Sequence, residues 1–537
     1  MKIVFVVVAA AVFVGCDQIK SPENTVKTIT ILQTSDIHAY LNPHTDLFVQ
    51  DGQVVFREAG GLPQLKTLSD SIRKTNPGGT LLIDGGDLIQ GSGASVRSQG
   101  KIFPPIIQAM NYDLLIPGNW EVIYGKRIMM EVMGKYKTNV IAANMFHAEG
   151  NDPLFPPYWV TERKGVKIGF IAYNDPEVPD RQNPAYSEGI TFTSVEKNLQ
   201  SLIAELKNEK KVDILFLVAH LGISKQIMLS NDPKVKGVDF ILGNDTHERI
   251  RQPIKGKYAK VVEPGAFGSF LGKLELKVKN HKIVSYSYDL IEVNPSKYKA
   301  DPHVQQLVDR AILPYKKEMQ TVLGYTSAPI YRYLVVENPM DNFITDALRW
   351  KTGADFATSN GFRFGVPIVP DESGRAEITT ADLWRMLPVN EHMKIGTVTG
   401  KQIKQWLEKE INNVFASNYH DRFGGWLVRF SGMTVKFNSS AKKGSRVESI
   451  TIKGKPIEPD KTYKMASCNR TGEPISTMCR LKNAVDVSLQ DYTLHDAVTS
   501  YLNEKHTVHP VIDGRAIATD LGPGAFSQMK EGNYSFR

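Results

Sequence analysis

Asp36 and His38 stand one residue apart where the apolar run Ile29 to Leu32 gives out, two metal-type ligands at the tip of an expected strand. Residues i and i+2 of an extended segment point the same way, so the pair is expected to reach one ion together. Later apolar runs end in Asp84-Gly-Gly-Asp87, in Gly118-Asn119-Trp120-Glu121, in His220 and in Gly243-Asn244-Asp245-Thr246-His247. Asp36, His38, Asp87, Asn119, His220, Asp245 and His247 together offer three carboxylates, three imidazoles and one carboxamide. That mixture suits two divalent ions sharing one carboxylate. Such a pair clamps both the attacking and leaving oxygens of an in-line displacement and supplies hydroxide at neutral pH. Singly, each residue has a plainer reading: a turn aspartate, a left-handed asparagine, a satisfied buried histidine. Five ligand-bearing strand ends in series point instead to one site.

The elements that must carry these side chains are buried strands alternating with helical patterns. Strands are expected from the run into Asp36, Thr80–Ile83, Leu114–Ile116, Asn139–Ala143, Val166–Tyr173, Asp213–Ala219 and Val238–Leu242. Gly60-Gly61-Leu62-Pro63 opens a helix whose Leu62, Leu65, Leu68 and Ile72 share one face. This alternation argues an α/β layered core with its site where strands end. The first domain is expected over residues 27–293, ending after Lys260–Gly265 and the strand Leu271–Val278. A linker helix over 301–325, kinked at Pro314, follows. A second α/β region over 330–525 opens on a helix from Pro339 to Thr352.

The chain of 537 residues, 42% hydrophobic and 23% charged, has the composition of ordinary folded domains. Its net charge of +8 is spread over 65 basic and 57 acidic residues, with no basic arm interleaved with aromatics, which argues against a nucleic-acid partner. Met1-Lys2 followed by the apolar stretch Ile3 to Val14 reads as a signal peptide, too short to span a bilayer. Phe13-Val14-Gly15-Cys16 resembles a bacterial lipobox, with residues 1–16 as the lipoprotein signal, Cys16 lipidated as the new N-terminus and residues 17–26 as tether; an ordinary cleaved signal is the alternative. An exported lipoprotein of periplasm or cell surface, held at the membrane by acyl chains alone, is therefore expected. Cys468 and Cys479 remain, either as a disulfide or as two free thiols.

The order D-x-H, G-G-D, G-N-x-E, a lone strand-end His and G-x-x-x-H resembles calcineurin-like metallophosphoesterases. Asn338 to Asp346, Ser359-Asn-Gly-Phe-Arg363, Ile378 to Leu383 and Gly396 to Lys401 resemble the C-terminal domain of 5′-nucleotidases. The resemblance implies a four-layer αββα sandwich, a linker helix, and a C-terminal α/β domain that contacts substrate. It implies that Asp36, His38, Asp87 and His247 hold a first metal. Asp87, Asn119, His220 and Asp245 would hold a second, with Asp87 bridging. A metal-bound hydroxide would then cleave a phosphate monoester such as a nucleotide, and a monomer is expected.

Three departures qualify this. Trp120 stands where the family has a His that serves as acid or transition-state stabiliser, and indole cannot shuttle a proton. Asp245 replaces an imidazole, which favours manganese or magnesium over zinc, iron(II) being a further possibility, and adds negative charge beside an anionic substrate. The paired aromatic platform of nucleotidases is not recognisable; Gly424 to Gly432 and Ser467 to Glu473 stand near its place. A Trp at this position resembles the Sox thiosulfohydrolases, as do Gly361 to Gly365, Glu410 to Phe415 and Gly424 to Arg429, although that branch has a His at Asn119. Those enzymes use two manganese ions to release sulfate from a carrier-protein cysteine adduct, a leaving group that needs little protonation. A carrier protein would then be the partner. A degenerate, non-catalytic surface-binding lipoprotein is the third reading. Arg363 and Arg429 are the candidates for gripping the oxyanion, and Trp426 or Phe430 for walling its pocket.

Overall fold

The structure, a computed structural model, describes residues 1, 25–359, 365–522 and 524–527. The leader with Cys16, and Arg363, lie outside the described residues.

Two six-stranded sheets form the first domain. One runs Lys282–Glu292, Phe270–Lys279, Lys27–Thr34, Thr80–Asp84, Leu114–Leu115, Asn139–Val140; the other runs Ile254–Lys255, Lys260–Val262, Phe240–Gly243, Ile214–Ala219, Val166–Tyr173, Tyr158–Arg163. Their central strands pair in parallel, Thr30 with Thr80 and Phe216 with both Phe170 and Phe240. Parallel strands are covered on both faces, which is why these segments read as unbroken apolar runs. The period of two sorts the faces. Ile31, Ile83, Phe216 and Val218 meet between the sheets, where Phe170 stacks on Phe216 at 5.0 Å between centroids. Leu32, Leu82 and Leu115 turn out towards the helices Leu62–Thr75, Phe103–Met110 and Gly125–Gly134. Leu215 and Leu217 turn towards Leu199–Ala204 and Ile223–Asn231 on the far side. The result is the expected four-layer sandwich. Helix Leu62–Thr75 begins as Gly60-Gly61-Leu62-Pro63 implies: Gly61 sits at φ +95°, and a Cβ there would meet Gln64 at 2.2 Å.

The long linker helix is corrected. Helix Pro302–Ile312 gives way to a 3₁₀ turn at Leu313–Tyr315, a short helix Lys316–Met319 and then the strand Val322–Thr326. Pro314 has no N–H to continue the ladder, so the helix breaks where a kink was expected. Val304 and Val308 are fully buried in the first domain's outer core, which makes this helix part of that layer.

The second α/β region thus starts at Val322, earlier than residue 330. Its main sheet runs Arg429–Ser431, Phe356–Ser359, Thr462–Cys468, His392–Thr399, Val485–Thr493. Helix Gly400–Phe415, capped by a reciprocal Thr399/Gln402 box, follows the Gly396–Lys401 segment as expected. Helix Pro339–Thr352 is also where the sequence puts it. Cys468 and Cys479 are free thiols, not a disulfide: Cys468 packs against one core of this region and Cys479 lies inside another. Among the described residues, no helix is long and apolar enough to cross a membrane.

Contacts between the two regions bring the second over the first domain's strand ends. Tyr333 donates to Asp46, Arg422 to Ser224 Oγ at 3.0 Å, Asn183 to Glu391 at 3.2 Å and Arg470 to the carbonyl of Asp180 at 3.1 Å. Ser527, ten residues before the end of the chain, reaches Glu248 at 2.6 Å, beside His247.

Candidate metal centre

The seven predicted ligands lie on loops, beyond the strand ends that deliver them. Asp36 and His38 do converge, but not by strand alternation: the strand stops at Thr34 and both residues are left-handed, at φ 50° and 49°. Asp87, Asp245 and His247 share that conformation, at φ 58°, 85° and 59°. Non-glycine residues there carry strain of about 1–3 kcal/mol each and persist where surrounding contacts impose them. For Asp87 the imposing group is Glu121, whose buried carboxylate accepts the N–H groups of Asp87 (2.9 Å), Leu88 (2.6 Å) and Gly118 (2.6 Å). Glycine is required where these loops touch: a Cβ on Gly118 would stand 2.3 Å from Asp87 Oδ1, and one on Gly85 1.8 Å from Asn244 Oδ1. On the other side, Glu263 accepts from Thr246 Oγ1 (3.0 Å) and Glu248 N (2.8 Å), fixing the loop that carries Asp245 and His247.

The ligand atoms meet in two buried groups, Asp36–His38–His247 and Asp36–Asp87–His220, each with its ligand atoms within 4.8 Å of one another. Asp87 Oδ2 lies 3.2 Å from His220 Nε2 and 3.8 Å from His38 Nε2, so it stands between the two groups. His220 Nε2 is also 3.8 Å from Asp245 Oδ1, which accepts from Asn119 Nδ2 at 2.9 Å. Trp120 contributes its backbone N–H to Asp87 Oδ1 at 2.8 Å, while its indole turns into an adjoining cleft.

The donor set fits divalent cations. His38 Nδ1 faces the carbonyl of Gln90 at 2.9 Å and His220 Nδ1 that of Gly85 at 2.8 Å. Each Nδ1 therefore carries a proton and turns Nε2 to the cluster. Once a cation displaces the proton that the carboxylates hold on His220 Nε2, both rings have the arrangement a ligating histidine needs. Among the described residues, Asp36 Oδ1 and Asn119 Oδ1 are buried without hydrogen-bond donors, and His38 Nε2 faces His247 Nε2 at 3.1 Å. A cation between such atoms would satisfy all of them at once.

Electrostatics agree. Burial pushes Asp36 well above the usual carboxylate range and His38 down to about 4, so the His38 ring is neutral at neutral pH. Burial also acts on Asp87 and His220, but their mutual attraction outweighs it, holding Asp87 below its ordinary range and His220 well above. Burial, reinforced by Asp87, pushes Glu121 up to about 7.

The candidates for substrate contact fare differently. The Arg429 guanidinium is 3% exposed and bound to the carbonyls of Leu334 and Val335 at 2.9 Å each and to Asp341 at 3.1 Å. It ties the 334–336 turn to helix Pro339–Thr352, which corrects the expectation that it grips an oxyanion. Phe430 is likewise core, 3% exposed and paired across the sheet through Thr358. Trp426 is half-buried and lines neither cleft beside the cluster. The residue that sequence reading missed is Arg181, which bonds Asp175 at 2.6 Å and Asp245 at 3.3 Å. The one available signal was Asn174-Asp175-Pro176 at a strand end, which carries Arg181's partner rather than a ligand. Phe423, not Trp426, is the aromatic ring near that guanidinium, at 6.0 Å.

Comparison with known proteins matches residues 29–249 to the calcineurin-like phosphoesterase family and residues 322–470 to the 5′-nucleotidase C-terminal domain. The chain belongs to the 5′-nucleotidase family of calcineurin-like metallophosphoesterases. This 5′-nucleotidase-family chain is a hydrolase, and its family implies divalent metal ions. It is 23% identical to the 5′-nucleotidase of Rattus norvegicus over 91% of this chain and 90% of that one. It is 22% identical to the trifunctional nucleotide phosphoesterase protein YfkN of Bacillus subtilis over 92% of this chain, yet spans only 35% of that protein's length. Among solved structures, the sulfate thiohydrolase SoxB of Thermus thermophilus superposes with a TM-score of 0.83 at 20% identity, covering 92% of this chain and 97% of that one. A 5′-nucleotidase precursor, also from Thermus thermophilus, gives 0.79 at 21%, covering 92% and 100%. At these identities the two structures establish the shared fold.

Proposed function

We propose that this family member is an exported lipoprotein with a dinuclear metal site that hydrolyses phosphate monoesters such as nucleotides. The observation that supports the reading is that Asp36, His38, Asp87, His220 and His247 bring ligand atoms within 4.8 Å of one another in two buried groups, with Asp245 3.8 Å from His220 and Asn119 bonded to Asp245. Asp36, His38, Asp87 and His247 would hold one ion, and Asp87, Asn119, His220 and Asp245 the other. Bound there, two divalent cations would polarise the ester and lower the pKa of the attacking water. The chain's own residues do the rest. Gln90 and Gly85 fix the imidazole tautomers through their carbonyls, and Glu121 keeps the Asp87 and Gly118 loops in contact. Trp120 walls the adjoining cleft with Tyr186 and Leu387, where it excludes water but delivers no proton to the leaving group. The preferred substrate is therefore one whose leaving group needs little help. Phosphate release from AMP and aryl phosphates by manganese-loaded protein, abolished by chelation and by Asp87→Ala, tests this. Metal-replete protein that turns over no ester would sink it.

A second reading, sulfate release from a carrier-bound sulfur adduct, is favoured by Trp120 specifically, because a sulfur leaving group needs little protonation. Side-by-side assays of AMP and an S-thiosulfonated peptide separate the two.

A further inference from the structure

Asp245 places a carboxylate where the motif has an imidazole, and by itself this puts one negative charge too many beside an anionic substrate. The structure supplies the missing opposite charge. Arg181, in the short helix Val178–Arg181, lays Nη1 3.3 Å from Asp245 Oδ2 and Nη2 3.4 Å from each Asp245 oxygen. It is held there by Asp175, fully buried, at 2.6 Å from Nη1. Asp175 is set in turn by its own backbone N–H on Asn174 Oδ1 at 2.7 Å and by accepting the N–H of Glu177 at 3.1 Å. Burial opposes the charge on Arg181, but Asp245 and Asp175 more than offset it, so the guanidinium is cationic throughout.

The donor inventory gives this arginine a second use. A guanidinium has five N–H groups in a fixed fork, and these two carboxylates engage only Nη1 and Nη2. Arg181 also lines the cleft shared by Trp120, Asn183 and Tyr186. Asp175 and Asp245 leave the Nε–H of Arg181 uncommitted, a donor that an oxyanion in that cleft would take up.

We infer that Arg181 is the counter-charge of Asp245 and a specificity-determining residue for the ester's oxyanion, the two positions forming one exchangeable unit. Arg181 and Asp245 cancel each other, so the pair carries the same charge as a neutral imidazole at 245 with a neutral residue at 181. Arg181 also holds the Asp245 carboxylate so that Oδ1 can take the Asn119 amide. The inference rests on the proposed two-ion site, and its test is chosen to fail separately from it.

The test is a double-mutant cycle on the full chain, read by manganese titration calorimetry and by AMP kinetics. Asp245→His alone leaves Arg181 paired with Asp175 but removes the negative charge between the guanidinium and the cation, and the weaker manganese site should lose at least ten-fold in affinity. Adding Arg181→Gln to that variant should restore at least ten-fold. Arg181→Gln alone should alter manganese affinity by much less than that. It should raise KM for AMP at least ten-fold with a smaller change in kcat, and Arg181→Lys should recover part of the KM. Manganese effects that simply add across the cycle would overturn the coupling, even in an enzyme that hydrolyses AMP normally. An Arg181→Gln variant with lowered kcat and unchanged KM would overturn the oxyanion role. Conversely, coupled manganese affinities in a protein that cleaves no phosphate ester would leave the charge pairing standing while removing the phosphatase reading.

Discussion

Glu121→Gln isolates the device that holds the metal loops together. The substitution changes neither shape nor volume, but the carboxylate accepts three buried N–H groups, those of Asp87 and Gly118 on Oε2 and that of Leu88 on Oε1. An amide can turn its oxygen to the two donors or to the one, so at least one N–H faces an NH₂. Leaving a buried donor unsatisfied costs about 1–3 kcal/mol, and a neutral acceptor in place of a charged one loses about 1 kcal/mol for each remaining bond. The lost bonds come to about 3–5 kcal/mol. Relief of the buried charge that pushes Glu121 up to about 7 offsets part of this at pH 8. Urea denaturation should therefore show a smaller loss than that sum, and manganese affinity is the sharper readout. Because the same bonds bring Asp87 against Gly118, manganese affinity should drop about 10–100-fold, as is usual when groups supporting a metal ligand are removed. An unchanged denaturation midpoint together with unchanged manganese affinity would show that the loops are held by other contacts.

Three further outcomes follow from the same structure. Gly118→Ala puts a Cβ 2.3 Å from Asp87 Oδ1 and should abolish ester hydrolysis and weaken manganese binding while circular dichroism stays native. His495, 8% exposed with Nε2 on the Leu387 carbonyl at 2.8 Å, is pushed by burial down to about 4. Its neutral form is the one that folding favours, so stability is fully present above the unfolded value near 6.5 and falls as pH drops towards 4. Wild-type protein should therefore lose about 2 kcal/mol more than His495→Gln between pH 7.5 and pH 5; equal losses would refute this. Lys394 is buried with no hydrogen-bond partner for Nζ among the described residues, and burial lowers its pKa. Lys394→Met should raise stability by about 1–3 kcal/mol at neutral pH, and by less near pH 10, where the unfolded lysine also loses its proton.

The strands, and what stands at their ends, were legible in the chain alone. Runs such as Ile214–Ala219 are apolar because both faces are covered, and Asp87, Asn119, His220 and Asp245 sit where those runs stop. These are local signals of period and punctuation, and each can be read without knowing its neighbours. How the ligands point follows only from the folded chain. Asp36 and His38 converge through left-handed backbone that Phe267 N, Gly86 O and Asp87 O impose from about 50 residues away or more. The roles of the arginines are likewise a product of folding. Arg429 and Arg181 have equally exposed-looking sequence contexts, yet one is enclosed by the carbonyls of residues 334–336 and the other set against Asp245. A long, flexible cation takes its role from whichever acceptors the fold brings within reach: for Arg181 these include Asp245, 64 residues away, besides the local Asp175, and for Arg429 carbonyls 93–95 residues away.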